Sequence, residues 1–157
     1  METITNRTYD ELAIGDSCER THQIVERDLQ LFAAVSGDHN PLHLNPEYAA
    51  TTQFKGQIAH GMYSGALISA GLAMELPGPG TVYMGQNLAF KRPIMIGDTI
   101  TVKLTVKEKI DKKGLVIFDT TLTNQSGKVV VTGEATVIAP TEKMTIDMPE
   151  LPPITFG

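Results

Sequence analysis

Gly61-Met62-Tyr63-Ser64-Gly65-Ala66-Leu67-Ile68-Ser69-Ala70-Gly71-Leu72-Ala73-Met74 runs through fourteen residues without a charge. A surface helix keeps one polar face, so a helix that is apolar nearly all round is one buried on most sides. Met62, Leu67, Ile68, Leu72 and Met74 supply the bulk, while Gly61, Gly65 and Ser69 recur every four residues and stack along one stripe. Glycine inside a helix costs about 1 kcal/mol against alanine, so its repetition asks for a reason. Close approach of a strand, a partner helix or a slender ligand would supply one; tight packing alone is the other reading. The segment is too short for the ~20 residues of a membrane span.

Downstream of this helix the pattern changes to period two. Ile100, Val102, Leu104 and Val106 fall on one face, with Thr99, Thr101, Lys103, Thr105 and Lys107 on the other. Asp111-Lys112-Lys113-Gly114 reads as a turn into a strand from Leu115 to Thr123, and Asn124-Gln125-Ser126-Gly127 as a turn into Val129 to Ile138. Thr81 to Lys91 makes an earlier strand ending before Pro93, and Ser17 to Ile24 a weaker one. Between them, Val25 to Ser36 reads as a helix with Leu29, Phe32 and Ala33 on one face and Gly37 at its C-terminal cap. Asn45 reads as an N-cap with Pro46 in the first helical position, starting a short helix through Ala50. The fold class is therefore α+β: a long antiparallel sheet with one buried helix inserted before its main run. From Pro140 onward, Pro140, Pro149, Pro152 and Pro153 interrupt any regular element, which divides the chain into a domain over 1–139 and a loosely packed extension over 140–157.

Composition narrows the function. The 157 residues fit one domain. Thirteen Lys and Arg against 18 Asp and Glu give a net charge of −5, which disfavours nucleic acid and anionic membranes as partners. Apolar residues at 41% and charged residues at 20% are enough for a core and too few charges for disorder. A single cysteine, Cys18, excludes an internal disulfide and a multi-cysteine metal site, and reads as a small strand residue. The N-terminus lacks the basic-then-apolar layout of a signal peptide, so a cytoplasmic location is expected.

The chemistry gathers in Ser36-Gly37-Asp38-His39-Asn40-Pro41-Leu42-His43-Leu44-Asn45-Pro46. Gly37 and Pro41 interrupt a continuous helix, so Asp38 and His43 lie on a tight turn whose ends can approach each other. A carboxylate beside an imidazole is a general acid/base pair able to hold a water from two sides and exchange a proton with it. Asp38 alone reads equally as an Asx-turn residue, and Asn40 before Pro41 as a fixer of the turn. His22 reads as a surface residue, and His39 as structural, pointing away from whatever Asp38 faces. His60 admits two readings, a residue at the helix start or a pocket wall. His39, His43, His60 and Asp38 match no common metal-ligand spacing, so no metal is expected.

Asp38-His39-Asn40-Pro41-Leu42-His43, preceded by Ser36-Gly37 and followed by Ala49, resembles the signature of the MaoC-like hydratases. More narrowly it resembles the (R)-specific enoyl-CoA hydratases of the hydratase-2 type that supply polyhydroxyalkanoate synthesis. The likeness extends through Thr51-Thr52-Gln53-Phe54, Ile58-Ala59-His60-Gly61-Met62, Gly85-Gln86-Asn87-Leu88-Ala89-Phe90-Lys91, Ile96-Gly97-Asp98 and Val131-Thr132-Gly133-Glu134-Ala135. The resemblance implies a hot-dog fold, an antiparallel sheet wrapped around one long helix, in a homodimer with the site near the subunit interface. It implies that Asp38 and His43 are the catalytic dyad, activating a water that adds to a trans-2-enoyl-CoA to give the (R)-3-hydroxyacyl-CoA. Gly61 would offer its N–H to the thioester oxygen at the helix N-terminus, where the helix dipole assists. Its missing side chain would let that carbonyl approach. Ser69 matches a pocket-lining serine of the family. No cofactor is implied, because coenzyme A is part of the substrate. Lys91 and Arg92 read either as phosphate contacts for coenzyme A or as a solvated pair at a strand end.

Three rivals share this fold. A 3-hydroxyacyl-carrier-protein dehydratase would run the reaction toward water loss on a carrier-bound thioester. Thioesterases of the fold use a differently placed carboxylate and lack the Asp-x-Asn-Pro-x-His turn. A non-catalytic acyl-CoA-binding module would be expected to have lost Asp38 or His43, and both are present.

Overall fold

A computed structural model describes residues 1–156. In chain order the elements are β1 (Thr3–Thr5), β2 (Ser17–Gln23), α1 (Glu26–Ser36), α2 (Pro41–Leu44), α3 (Pro46–Thr51), α4 (Tyr63–Met74), β3 (Val82–Phe90), β4 (Thr99–Ile110), β5 (Leu115–Thr123), β6 (Val129–Ile138) and β7 (Thr145–Asp147). Five strands form one antiparallel sheet in the order β2-β4-β5-β6-β3. The alternation read from the sequence is the reason: Ile100, Val102, Leu104 and Val106 of β4 all point inward at 3% exposure or less. Val116, Phe118 and Leu122 of β5 and Val130, Ala135 and Val137 of β6 complete the sealed face. The result is the expected hot-dog arrangement, sheet over helix.

Helix α4 lies on that face through Ile68, Gly71 and Leu72. A Cβ on Gly71 would stand 2.8 Å from Leu104 Cδ1, so the helix and β4 approach closely at this one glycine. The stripe of Gly61, Gly65 and Ser69 is not that seam. A Cβ on Gly65 would meet Leu88 at an ordinary 3.6 Å, and Ser69 is only half-buried. Two further expectations need correction. The helix starts at Tyr63 rather than Gly61, and within one chain it is buried on one side only, leaving Met62, Ala66 and Ala73 exposed. The sheet covers a single face, so the apolar residues on the other face of α4 have no cover from this chain.

Strand β3 ends the sheet with a bare outer edge. It carries Val82, Tyr83, Met84 and Phe90 at 38–57% exposure, an apolar surface that a solitary edge strand would normally avoid. Strand β7 pairs with β1, and Asn6 binds both ends of the incoming segment, donating to Glu142 O and accepting from Met144 N. The extension from Pro140 is therefore not loose at its start. Pairing to a strand some 140 residues away gave no local pattern to read. Beyond Met148 the residues are exposed, resting on α1 where Arg27 donates to Ile154 O and faces the Phe156 ring; Gly157 lies outside the described residues. Among the described residues no helix is long and apolar enough to cross a membrane.

Candidate active site

Helix α1 ends as expected at Gly37, whose φ of 81° and N–H bond to Ala33 O make a left-handed cap. The cap turns the chain out of the helix, and Asp38 follows at once. Asp38 Oδ1 accepts the Asn40 N–H at 3.2 Å, the Asx turn of the sequence reading, and Asn40 Oδ1 accepts Leu42 N–H at 2.9 Å to start α2. With Oδ1 so engaged, Oδ2 faces His43 Nε2 across 3.7 Å. The Asx turn thus engages one oxygen of Asp38 and leaves the other facing the imidazole. The one difference is that Pro41–Leu44 closes into a short helix rather than an open turn, with Pro41 in its first position.

His43 is held by a second segment, residues 57–60. Its Nδ1 lies 2.7 Å from Ile58 O; a carbonyl only accepts, so Nδ1 carries the proton and Nε2 presents a lone pair. Gln57 Nε2 donates to His43 O at 2.7 Å, fixing the backbone as well. His60 Nε2–H donates to Asp38 O at 3.0 Å, and the His60 ring stacks on His43 at 3.8 Å between centroids and 23° between planes. The segment is itself anchored, Ala59 N–H bonding to Ile94 O and Ile58 bridging Met95. His60 was thus the residue undervalued in sequence: its pocket-wall reading is correct, but its contacts with both dyad members come from tertiary placement. Burial holds its imidazole below the usual range, disfavouring the charged form.

Gly61 and Met62 precede the first turn of α4. Among the described residues Gly61 N–H meets no acceptor, leaving a free donor at the positive end of the helix. A Cβ on Gly61 would press on the Phe90 ring at 3.2 Å, so the space beside this glycine belongs to an aromatic side chain as well as to any ligand. Two cavities, of about 320 and 340 Å³, share His60, Gly61 and Phe90 as walls. Asp38 opens into the second of these with Phe32 and Ser36; Ile58, Ala59, Ile94 and Val131 make the first apolar, with Lys91 and Arg92 at its rim. Arg92 already donates to Val129 O.

Ser69 lines neither cavity. The serine of α4 that lines one of them is Ser64, 1% exposed and, among the described residues, with its Oγ unpartnered. Periodicity could have found it, since Ser64 is four residues after His60. His39 turns away from Asp38 to a groove with Leu44 and Phe156, as expected. His22 is more than a surface residue: its Nε2 lies 2.9 Å from Asp28 Oδ2 and 3.2 Å from the Tyr63 hydroxyl, which burial and Asp28 push up to about 12.

Asp38, His43 and His60 bring ligand atoms within 4.8 Å of one another. Tetrahedral or octahedral ligation splays two imidazoles apart, whereas these rings lie face to face. The arrangement suits a water molecule better. Such a water donates one hydrogen to Asp38 Oδ2 and the other to His43 Nε2, leaving its lone pairs free to attack.

This is a hot-dog protein with an acid–base turn beside the start of its long helix. It belongs to the MaoC-like family, whose MaoC like domain matches residues 11–128. The chain is 48% identical over 132 residues to an (R)-specific enoyl-CoA hydratase of Rhodospirillum rubrum, covering 84% of this chain and 91% of the relative. Among solved structures it is similar to R-Hydratase PhaJ1 from Pseudomonas aeruginosa, with TM-score 0.96 and 56% identity over 99% of this chain and 100% of that one. It is also similar to the (R)-hydratase from Aeromonas caviae involved in PHA biosynthesis, at TM-score 0.80 and 40% identity over 82% of this chain and 98% of that one. The C-terminal segment therefore has a counterpart in the first of these structures.

Proposed function

We propose that this protein is an (R)-specific enoyl-CoA hydratase, adding water to trans-2-enoyl-CoA esters with Asp38 and His43 as paired bases. The observation that carries it is the geometry of two acceptors, Asp38 Oδ2 and His43 Nε2, 3.7 Å apart beside a free helix N-terminus. One base removes a proton as the water oxygen bonds to C3. The C2=C3 pair moves toward the thioester, whose oxygen gains charge next to Gly61 N–H. The protonated dyad then delivers its proton to C2, so hydrogen and hydroxyl are added and the bases are restored. Neither a cofactor nor a metal is needed for this balance. Ser64 Oγ, already in the cavity wall, and Ser69 beyond it are polar points along the acyl path, and Lys91 at the rim suits a coenzyme A phosphate.

A homodimer working in the cytoplasm fits the same reading. The bare apolar edge of β3 and the uncovered face of α4 lie on one side of the chain's own core, and a second copy would cover both. Curated relatives that act on carrier-bound thioesters, such as a mitochondrial 3-hydroxyacyl-[acyl-carrier-protein] dehydratase of Arabidopsis thaliana at 35% identity, make the carrier substrate the reading to test against.

The test follows the absorbance of the conjugated thioester with crotonyl-CoA and longer 2-enoyl-CoA esters, with product configuration assigned by an (R)-specific dehydrogenase. Wild type removes the absorbance and gives (R) product, while Asp38→Asn and His43→Gln lose about 10²–10⁴-fold. The active preparation sediments as two chains; a single-chain mass sinks the dimer. No turnover of any coenzyme A ester, with turnover of carrier-bound ones, sinks the coenzyme A reading.

A further inference from the structure

We propose that His60 is the positioning residue of this site, holding Asp38 by its backbone and His43 by its ring face and so setting the gap between the two bases. The inference rests on the hydratase reading above and adds a member to its machinery. Asp38 needs such a hold. Its side chain is half-exposed, and its bonds to Ser36 and Asn40 stay within the turn, tying it to nothing beyond. Among the described residues, the bond from His60 Nε2–H to Asp38 O is the hydrogen bond that reaches Asp38 from another segment.

His43 needs a hold of a different kind. The bond from Nδ1–H to Ile58 O fixes its tautomer but leaves the ring free to turn about that bond. Stacking on His60 at 3.8 Å removes this freedom and keeps Nε2 aimed at Asp38. His60 can serve because it is itself fixed. It is 3% exposed, Phe32 packs against it at 4.9 Å, and its own carbonyl accepts Tyr63 N–H at the start of α4. Burial also disfavours its charged form, which would set a positive charge beside a base that must take up a proton. Among the described residues its buried Nδ1 lone pair meets no donor. Misplacing a catalytic group by about 1 Å costs on the order of 10²-fold, which is the scale on which this hold acts.

Two substitutions separate the two holds. His60→Gln keeps an amide donor for Asp38 O and loses the ring; His60→Phe keeps a ring against His43 and loses the donor. Each lowers kcat about 10- to 100-fold, with a smaller change in KM for the enoyl-CoA and a melting temperature near wild type. A second measurement needs no variant: with 15N-labelled histidine, His60 shows the neutral Nε2–H tautomer at about pH 7. Wild-type kcat in both folded variants overturns the proposal, and so does a charged or Nδ1–H His60 at neutral pH. Wild type inactive on every enoyl thioester overturns the hydratase reading and the proposal with it.

Discussion

At the centre of the sheet, Ile100, Leu104, Phe118, Leu122 and Val137 are sealed against apolar neighbours, and even the inward Thr120 is satisfied, its Oγ1 accepting from Gln86. At the wall of the site, His60 Nδ1 and Ser64 Oγ are as deeply buried and find no partner. A buried polar atom left unpaired costs about 1–3 kcal/mol. The sheet spends its residues on stability, and the wall keeps two polar atoms bare beside a cavity. Places that break the rules of good packing in this way are where ligands and reacting groups belong. The wall also differs in how it is joined. Strands β4, β5 and β6 are bound by long ladders, each broken by one irregularity, while the 36–46 turn is bound to residues 57–60 by single side chain to backbone bonds.

Breaking each region should therefore give opposite results. Phe118→Ala, in the sealed face, is expected to lose about 3–5 kcal/mol of unfolding free energy. The fraction still folded should keep its wild-type kcat, and denaturant unfolding beside active-site titration checks both; a collapse of kcat in the folded fraction would show that the sheet and the wall are coupled. Gln57→Ala removes the donor to His43 O and is expected to cost about tenfold in kcat/KM, roughly 1.4 kcal/mol of barrier. Its melting temperature should stay close to wild type, and an unchanged kcat/KM would mean that the remaining bonds hold His43 unaided.

The smallest effect is one of pH. Burial depresses the His60 proton affinity in the folded state below the ordinary 6.5. The unfolded chain thus takes up a proton that folded His60 resists, and the contribution is present above 6.5 and lost as pH falls. Wild type should lose unfolding free energy more steeply than His60→Phe on going from pH 6.5 to about 5. Parallel curves would place the acid sensitivity elsewhere in the molecule.

Strands β5 and β6 were legible to the residue, because alternation and the turns at Asp111–Gly114 and Asn124–Gly127 are set by neighbours in the chain. The cap at Gly37 and the start of α3 were legible for the same reason, each being a bond over a few residues, whereas the turn read at Pro41 closes into the short helix α2. The pairing of β1 with β7 was not. Three-residue strands carry almost no periodic signal, and their partner lies at the far end of the chain. Likeness points to Ser69, whereas the serine in the cavity wall beside His60 and Gly61 is Ser64, a placement that only packing shows.

By itself the sequence determined the main sheet, the long helix and the carboxylate and imidazole of the turn, since propensity, capping and spacing act over short separations. Only the tertiary structure decided the 3.7 Å gap, the proton on His43 Nδ1 and the stacked His60. These depend on Gln57, Ile58 and His60 meeting Asp38 and His43 across 14 to 22 residues of chain. That meeting is made by packing against Ile94 and Met95, which no local pattern encodes.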